Sequence, residues 1–206
     1  MSGPGAGPAP RRARIRDLAT AVGGRTGTRR AHAVWRAPVV VVDGRSGSGK
    51  TQLARRLARM LRAGGLTGIQ IARLDDWYPG WDGLSAGTAR TERLLLREPA
   101  YPEWDWEAGR VRRWVSLDPA RPLIVEGAGA LTARTRSVAD VAVWVDVGPG
   151  PLDGEGSPVS AIERKRRALL RDGEAYRPWW DMWAAQELRH ISRHRPRALA
   201  DLEVLG

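Results

Sequence analysis

Four valines in a row, Val39 to Val42, leave no polar position between them, so the segment is apolar on both faces, as a central parallel strand must be. Leu53, Leu57, Met60 and Leu61 follow at i, i+4, i+7 and i+8, the stripe of a helix laid on a sheet. Ile69 to Leu74, Leu123 to Val125 and Val141 to Val147 are further short apolar runs that predict strands, and Leu202 to Leu205 is a weaker one. Strands alternating with helices predict a three-layer α/β fold around a mostly parallel central sheet. No internal repeat is visible.

Two regions break the alternation. Residues 77–118 hold Trp77, Trp81, Trp104, Trp106 and Trp114 among prolines and charges, too long and too polar for a simple crossover. Residues 157–197 open with Ser157 and Pro158, an N-cap and first-turn pair, and run through ERKRRALLRDG into a Trp-rich helix. Insertions at one edge of a sheet are where lids and substrate pockets form. Before Pro38, residues 1–14 are too rich in Gly, Pro and Arg to bury a core and are expected to be disordered; Ile15, Leu18 and Val22 predict a helix of one or two turns stopped by Gly23 and Gly24. The division expected is a flexible basic tail over 1–37 and one folded domain over 38–206, the tail dispensable for the domain's activity.

The net charge of +11 raises the question of a nucleic-acid partner. Eight arginines against one aspartate fall within residues 1–37, which leaves the body only mildly basic, so a nucleic-acid partner is not expected. With no cysteine, disulfides and thiolate metal sites are excluded. No run approaches the roughly 18 apolar residues of a membrane span, so a soluble, cytoplasmic protein without a membrane partner is expected.

Gly44 to Thr51 reads GRSGSGKT and matches G-x-x-x-x-G-K-[ST] in full, between a strand and a helix as the motif requires. Gly44, Arg45, Ser46, Gly47, Ser48 and Gly49 would wrap their amide N–H groups around a phosphate, with Gln52 in the first turn of the helix beyond. Lys50 would bridge the β- and γ-phosphates of ATP, and the Thr51 hydroxyl would ligate Mg²⁺. Asp75 and Asp76 close the second strand, where a carboxylate can accept the proton of an attacking hydroxyl. Adjacent residues on an extended backbone point to opposite faces, so only one of the two can face the loop. Glu126 closes the third strand, placed to hold Mg²⁺ through water. Arg164, Arg167 and Arg171 fall at i, i+3 and i+7, one helical face that could close over a phosphoryl group, with Arg177 beyond.

Taken together, DGRSGSGKT, LDDWY, EWDW, VEGAGAL and the RRALLRD helix resemble the uridine kinase-like branch of the P-loop nucleoside and nucleotide kinases over roughly residues 38–205. The resemblance implies a P-loop NTPase fold with an acceptor-binding insertion and an arginine-bearing lid. It assigns the general base to Asp75, followed by the aromatic pair Trp77 and Tyr78, and a Mg²⁺-associated glutamate to Glu126. The ribose-contacting aspartate matches Asp105 best. Lid arginines carry over to Arg167 and Arg171, and then to Arg164 and Arg177.

The function expected is transfer of the γ-phosphate of ATP to a hydroxyl of a small metabolite, a nucleoside foremost. Asp76, Trp77, Tyr78, Asp105, Trp106, Arg164 and Arg177 would contact the acceptor, and Trp77, Trp104 or Trp106 could stack on a base. Two alternatives stand beside it: a nucleoside monophosphate kinase using Arg90, Arg93 and Arg97, and an ATP-binding regulatory or nucleic-acid-associated NTPase using the basic tail.

Overall fold

In the computed structural model, residues 11–24, 34–147 and 158–205 are described. The first ten residues of the expected disordered tail and the Ser157 cap lie outside them. In chain order the elements are β1 (Arg11–Arg12), α1 (Ile15–Gly23), β2 (Val39–Asp43), α2 (Lys50–Ala63), β3 (Gln70–Arg73), α3 (Leu84–Leu96), β4 (Ala100–Asp105), β5 (Arg110–Ser116), β6 (Leu123–Glu126), α4 (Ala133–Arg136), β7 (Val141–Asp146), α5 (Pro158–Asp172), α6 (Trp180–His194), α7 (Pro196–Leu199) and β8 (Leu202–Leu205).

Six strands form a parallel sheet in the order β1-β8-β7-β2-β6-β3, and β4 and β5 form a separate antiparallel hairpin. The valine run sits at the centre for the reason its pattern suggests. Val39 and Val41 enter the core beneath α3 and α6, while Val40 and Val42 enter the core beneath α1 and α2. On α2, Leu53, Ala54, Leu57, Ala58 and Leu61 are buried, while Gln52, Arg55, Arg56 and Met60 face outward.

Two expectations are corrected here. Part of the N-terminal segment is not a free tail: β1 pairs with β8, Arg11 opposite Leu202, and α1 buries Leu18 and Val22 in the core that α2 covers. The apolar spacing that predicts this helix is also what docks it. The strand expected over Ile69 to Leu74 ends at Arg73, and Leu74–Asp76 turns into a short 3-10 helix. Asp75 and Asp76 therefore diverge because the chain curls, not because an extended backbone alternates.

Residues 77–118 are more regular than their composition suggests. They hold α3 and the hairpin, whose strands shift register between Glu103 and Trp104. At its tip Asp105 accepts the backbone N–H groups of Glu107 (3.1 Å) and Ala108 (2.9 Å), and Gly109 takes φ +63°, a conformation that glycine tolerates best.

Candidate active site

The loop Gly44–Thr51 joins β2 to α2 and is held from two sides. Beneath it, the buried Asp43 accepts the N–H groups of Gly44 (2.6 Å), Gly129 (3.0 Å) and Leu131 (2.8 Å), with His190 Nε2 at 3.3 Å. From α6, Glu187 accepts the N–H of Ser46 (2.6 Å) and Nε of Arg45 (3.1 Å). Neither carboxylate is singled out by the motif. Asp43 is legible only as an acid closing an apolar strand, and nothing local marks Glu187, which lies 141 residues beyond Ser46.

Lys50 folds back so that Nζ donates to the Arg45 carbonyl at 3.0 Å. Thr51 donates its hydroxyl to Glu126 Oε1 at 2.8 Å. Parallel pairing of β2 with β6 places Glu126 opposite Val42, directly beside the start of the loop. Burial raises the Glu126 carboxyl above its ordinary range, against the pull of the nearby Lys50 ammonium and the Thr51 hydroxyl.

Arg73, at the end of β3, was not anticipated. It lies 3.3 Å from Asp75 Oδ2 and 3.8 Å from Glu126 Oε1, bridging the two acids. Burial would lower the pKa of its guanidinium, but Asp75, Asp76 and Glu126 outweigh that and raise it.

These groups line one cleft of about 770 Å³, which brings together Ser46, Gly47, Gly49, Lys50, Thr51 and Gln52 with Asp75, Glu126, Arg73, Arg167, Arg171 and Trp183. A second cleft of about 440 Å³ adjoins it at Asp75 and is lined by Asp76, Glu103, Trp104, Asp105, Trp106, Glu107 and Arg112. Burial raises the Asp76 carboxyl, whereas the backbone N–H groups at the hairpin tip lower that of Asp105. Between the clefts, Trp106 Nε1 donates to the Asp75 carbonyl at 2.9 Å, pinning the hairpin tip to the turn.

Helix α5 crosses the loop. The backbone of Arg164 presses so closely on Gly47 that a Cβ there would collide with its carbonyl. Arg164 itself is buried and donates to the Ser46 carbonyl at 3.4 Å, so it braces the loop rather than reaching an acceptor. Arg167 lies against the cleft and donates to Glu163 at 2.8 Å, as Arg166 does through two bonds of 2.7 Å. These bonds pull the Glu163 carboxyl down to about 2. Arg177 is exposed in the turn Arg177–Trp179 and lines neither cleft.

Trp77 and Tyr78 are corrected as well. Trp77 is 2% exposed, donates to the Gly87 carbonyl at 3.2 Å and sits 4.6 Å from the Tyr101 ring. Tyr78, 1% exposed, donates its hydroxyl to the Ala128 carbonyl at 2.6 Å. Both are packed in the core beneath the site and line neither of these clefts, because the curl at Leu74–Asp76 turns them inward.

No family model matches the chain. A shikimate kinase from Corynebacterium efficiens is 32% identical over 178 residues, spanning 80% of this chain and 94% of that protein. The chain belongs to the P-loop kinase family. Among solved structures, one described as a possible uridine kinase from Bacillus stearothermophilus superposes with a TM-score of 0.57 at 19% identity, covering 92% of this chain and 96% of that one. Another, assigned provisionally as a fructose transport system kinase from Silicibacter sp., gives 0.54 at 19% identity over 93% and 98% of the two chains. Both share the fold. P-loop kinases take the phosphoryl group they transfer from a nucleoside triphosphate. No helix among the described residues is long and apolar enough to cross a membrane.

The donor set suits the magnesium ion that such kinases carry. Thr51 and Glu126 offer hard oxygen ligands beside the loop, and among the described residues no cluster of three or more His, Cys, Asp or Glu forms a cage of its own. Magnesium commonly takes one or two protein ligands and fills the remaining positions with phosphate oxygens and water.

Proposed function

We propose that the protein transfers the γ-phosphoryl group of ATP to a hydroxyl of a neutral, polyhydroxylated small molecule, with a nucleoside as the leading candidate. The observation that carries this reading is the charge of the second cleft. Asp75, Asp76, Glu103, Asp105 and Glu107 line it with Arg112, Trp104 and Trp106, and with Arg73 paired to Asp75 and Arg113 to Glu103 the acids still outnumber the cations. Carboxylates accept hydroxyl protons and repel anions, and indole faces stack on planar rings.

An acceptor already bearing a phosphate would need cations instead. Of the three arginines open to that role, Arg90 is engaged: it donates to Glu98 at 2.8 Å and to the Ala100 carbonyl, and lies over the Trp114 ring. The likeness to a shikimate kinase favours a second reading, with shikimate as acceptor, although its carboxylate would meet the same surplus of acids.

In the transfer, the acceptor oxygen bonds to the γ-phosphorus as the bond from that phosphorus to the β,γ-bridging oxygen breaks, and ADP leaves. Asp75 takes the hydroxyl proton, oriented by Arg73. Lys50, Arg167 and Arg171 stabilise charge on the transferring oxygens. Thr51 and Glu126 would hold magnesium, which neutralises phosphate charge when bound.

An ADP-release screen over nucleosides, neutral sugars, nucleoside monophosphates and shikimate tests the reading. Neutral acceptors should give the highest kcat/KM. If shikimate or a monophosphate outruns every neutral compound, the acidic cleft does not select the acceptor.

A further inference from the structure

Three of the five side chains that α6 buries are polar, Gln186, Glu187 and His190, while Met182 and Leu188 of the same helix are exposed. A helix that only covered a sheet would show the reverse. Each of the three reaches a different part of the site. His190 lies against Asp43 beneath the loop, and Glu187 holds Ser46 and Arg45 of the loop itself.

Gln186 serves the acceptor side instead. Its Oε1 accepts the N–H of Leu84 at 3.2 Å, and its Nε2 donates to the Trp81 carbonyl at 2.8 Å. Leu84 opens α3, where its N–H has no partner within the helix and the N-cap residue, Gly83, has no side chain to offer. Gln186 thus caps one helix from another. The segment it holds, residues 81–84, follows Asp75 and Asp76, and the Trp81 ring lies 4.8 Å from that of Trp106, which holds the Asp75 carbonyl. The Glu187 side chain is 2% exposed, and a buried carboxylate is a weak source of stability, because its desolvation offsets what its partners contribute. What its two bonds supply to the loop is geometry.

We infer that α6 sets the spacing between donor and acceptor, with Glu187 and Gln186 as positioning residues, one for the phosphate loop and one for residues 81–84. Nucleotide bound on the loop then tightens the acceptor side through this pair, a role that rests on the kinase reading above. The two residues are neighbours on one stiff helix, with Cα atoms about 3.8 Å apart, so a shift at one is imposed on the other. Phosphate settling on the loop draws on the same backbone that Glu187 holds, and steadies that bond.

Hydrogen–deuterium exchange of the full-length protein, with and without ATP and magnesium, reads both ends of the link. No residue in 81–87 lines either the phosphate cleft or the acidic one, so a response there is indirect. In the unaltered chain ATP should slow exchange about fivefold both in the loop and over residues 81–87. Gln186→Leu, similar in size but without the two bonds, should keep the Kd for ATP within about twofold and keep the response of the loop, yet lose that of residues 81–87. Glu187→Ala should raise the Kd about tenfold, and Glu187→Gln, which keeps an oxygen for the Ser46 N–H, should bring it back to within about threefold. An unaltered chain whose loop responds while residues 81–87 do not would overturn the inference, whether or not the variants fold. So would a response over 81–87 that survives Gln186→Leu, or an ATP affinity unharmed by Glu187→Ala, since the carboxylate would then only repel phosphate. An unaltered chain that shows neither ATP affinity nor a response of the loop would remove the kinase reading itself.

Discussion

The loop Gly44–Thr51 and the turn Leu74–Asp76 face each other across one cleft, yet they are held very differently. Asp43 from below, Glu187 and Arg164 from the side, and the folded-back Lys50 all fix the loop through its own backbone groups. The turn is anchored at Leu74, which is buried in the core and whose carbonyl accepts the N–H groups of Trp77 and Tyr78, but Asp75 beyond it is held near solvent, by Arg73 on its carboxylate and one indole N–H on its carbonyl. The loop is thus redundantly bonded, whereas the carboxylates of the turn depend on a few contacts that single substitutions can remove.

The sharpest test of that contrast is on the turn. Asp75→Asn should lower kcat by about 10²–10⁴, the usual cost of removing a general base, with ATP affinity unchanged. Asp76→Asn should act mainly on the acceptor's KM. If steady-state kinetics assign the two effects the other way round, Asp76 faces the reacting hydroxyl.

On the loop, Lys50→Ala should cost about 10²–10³ in turnover, the scale of losing one preorganised charge donor, while circular dichroism and melting stay as they were. A variant retaining more than about a tenth of normal turnover would remove Lys50 from the mechanism.

A smaller effect is expected at the junction. Trp106→Phe keeps an aromatic ring but deletes the bond to the Asp75 carbonyl, which contributes on the order of 1 kcal/mol. Acceptor KM or kcat should worsen by about fivefold at unaltered ATP affinity, and an unaltered acceptor response would show that the turn holds itself.

The smallest effect is a pH dependence. Burial raises the Asp76 carboxyl in the folded protein above its value in the unfolded chain, so the ionised form is the disfavoured one. Folding is therefore penalised above the folded pKa, and the penalty disappears as pH falls below the unfolded value. Asp76→Asn should raise the melting temperature slightly at neutral pH, with the gain vanishing in acid. A gain that grows as pH falls would reverse the sign.

What the sequence makes legible follows the same division. The unbroken valines, the leucine stripe of α2 and the contiguous GRSGSGKT loop encode their structure within a few neighbouring residues. The hairpin stays hidden because β5 is almost wholly exposed, so its alternation marks no apolar face. β1 is only two residues long and leaves no periodic signal. An aromatic pair such as Trp77 and Tyr78 reads the same in sequence whether it meets a ligand or a core, and only the curl of the chain decides. The two carboxylates that grip the loop act on backbone N–H groups, and those groups carry no sequence signature.

The hairpin shares no ladder with the central sheet, and its base is closed by the bond from the Leu117 N–H to the Pro99 carbonyl. It is tied to the rest of the protein through side chains, Tyr101 against Trp77 and Trp106 on the Asp75 carbonyl, rather than through strand pairing. Changes between Pro99 and Leu117 can redraw the walls of the acidic cleft without disturbing β-pairing beneath the phosphate loop. A lineage could acquire a new acceptor there while its phosphate-transfer machinery stays under separate selection, and a hairpin transplanted from a relative offers the engineer the same route.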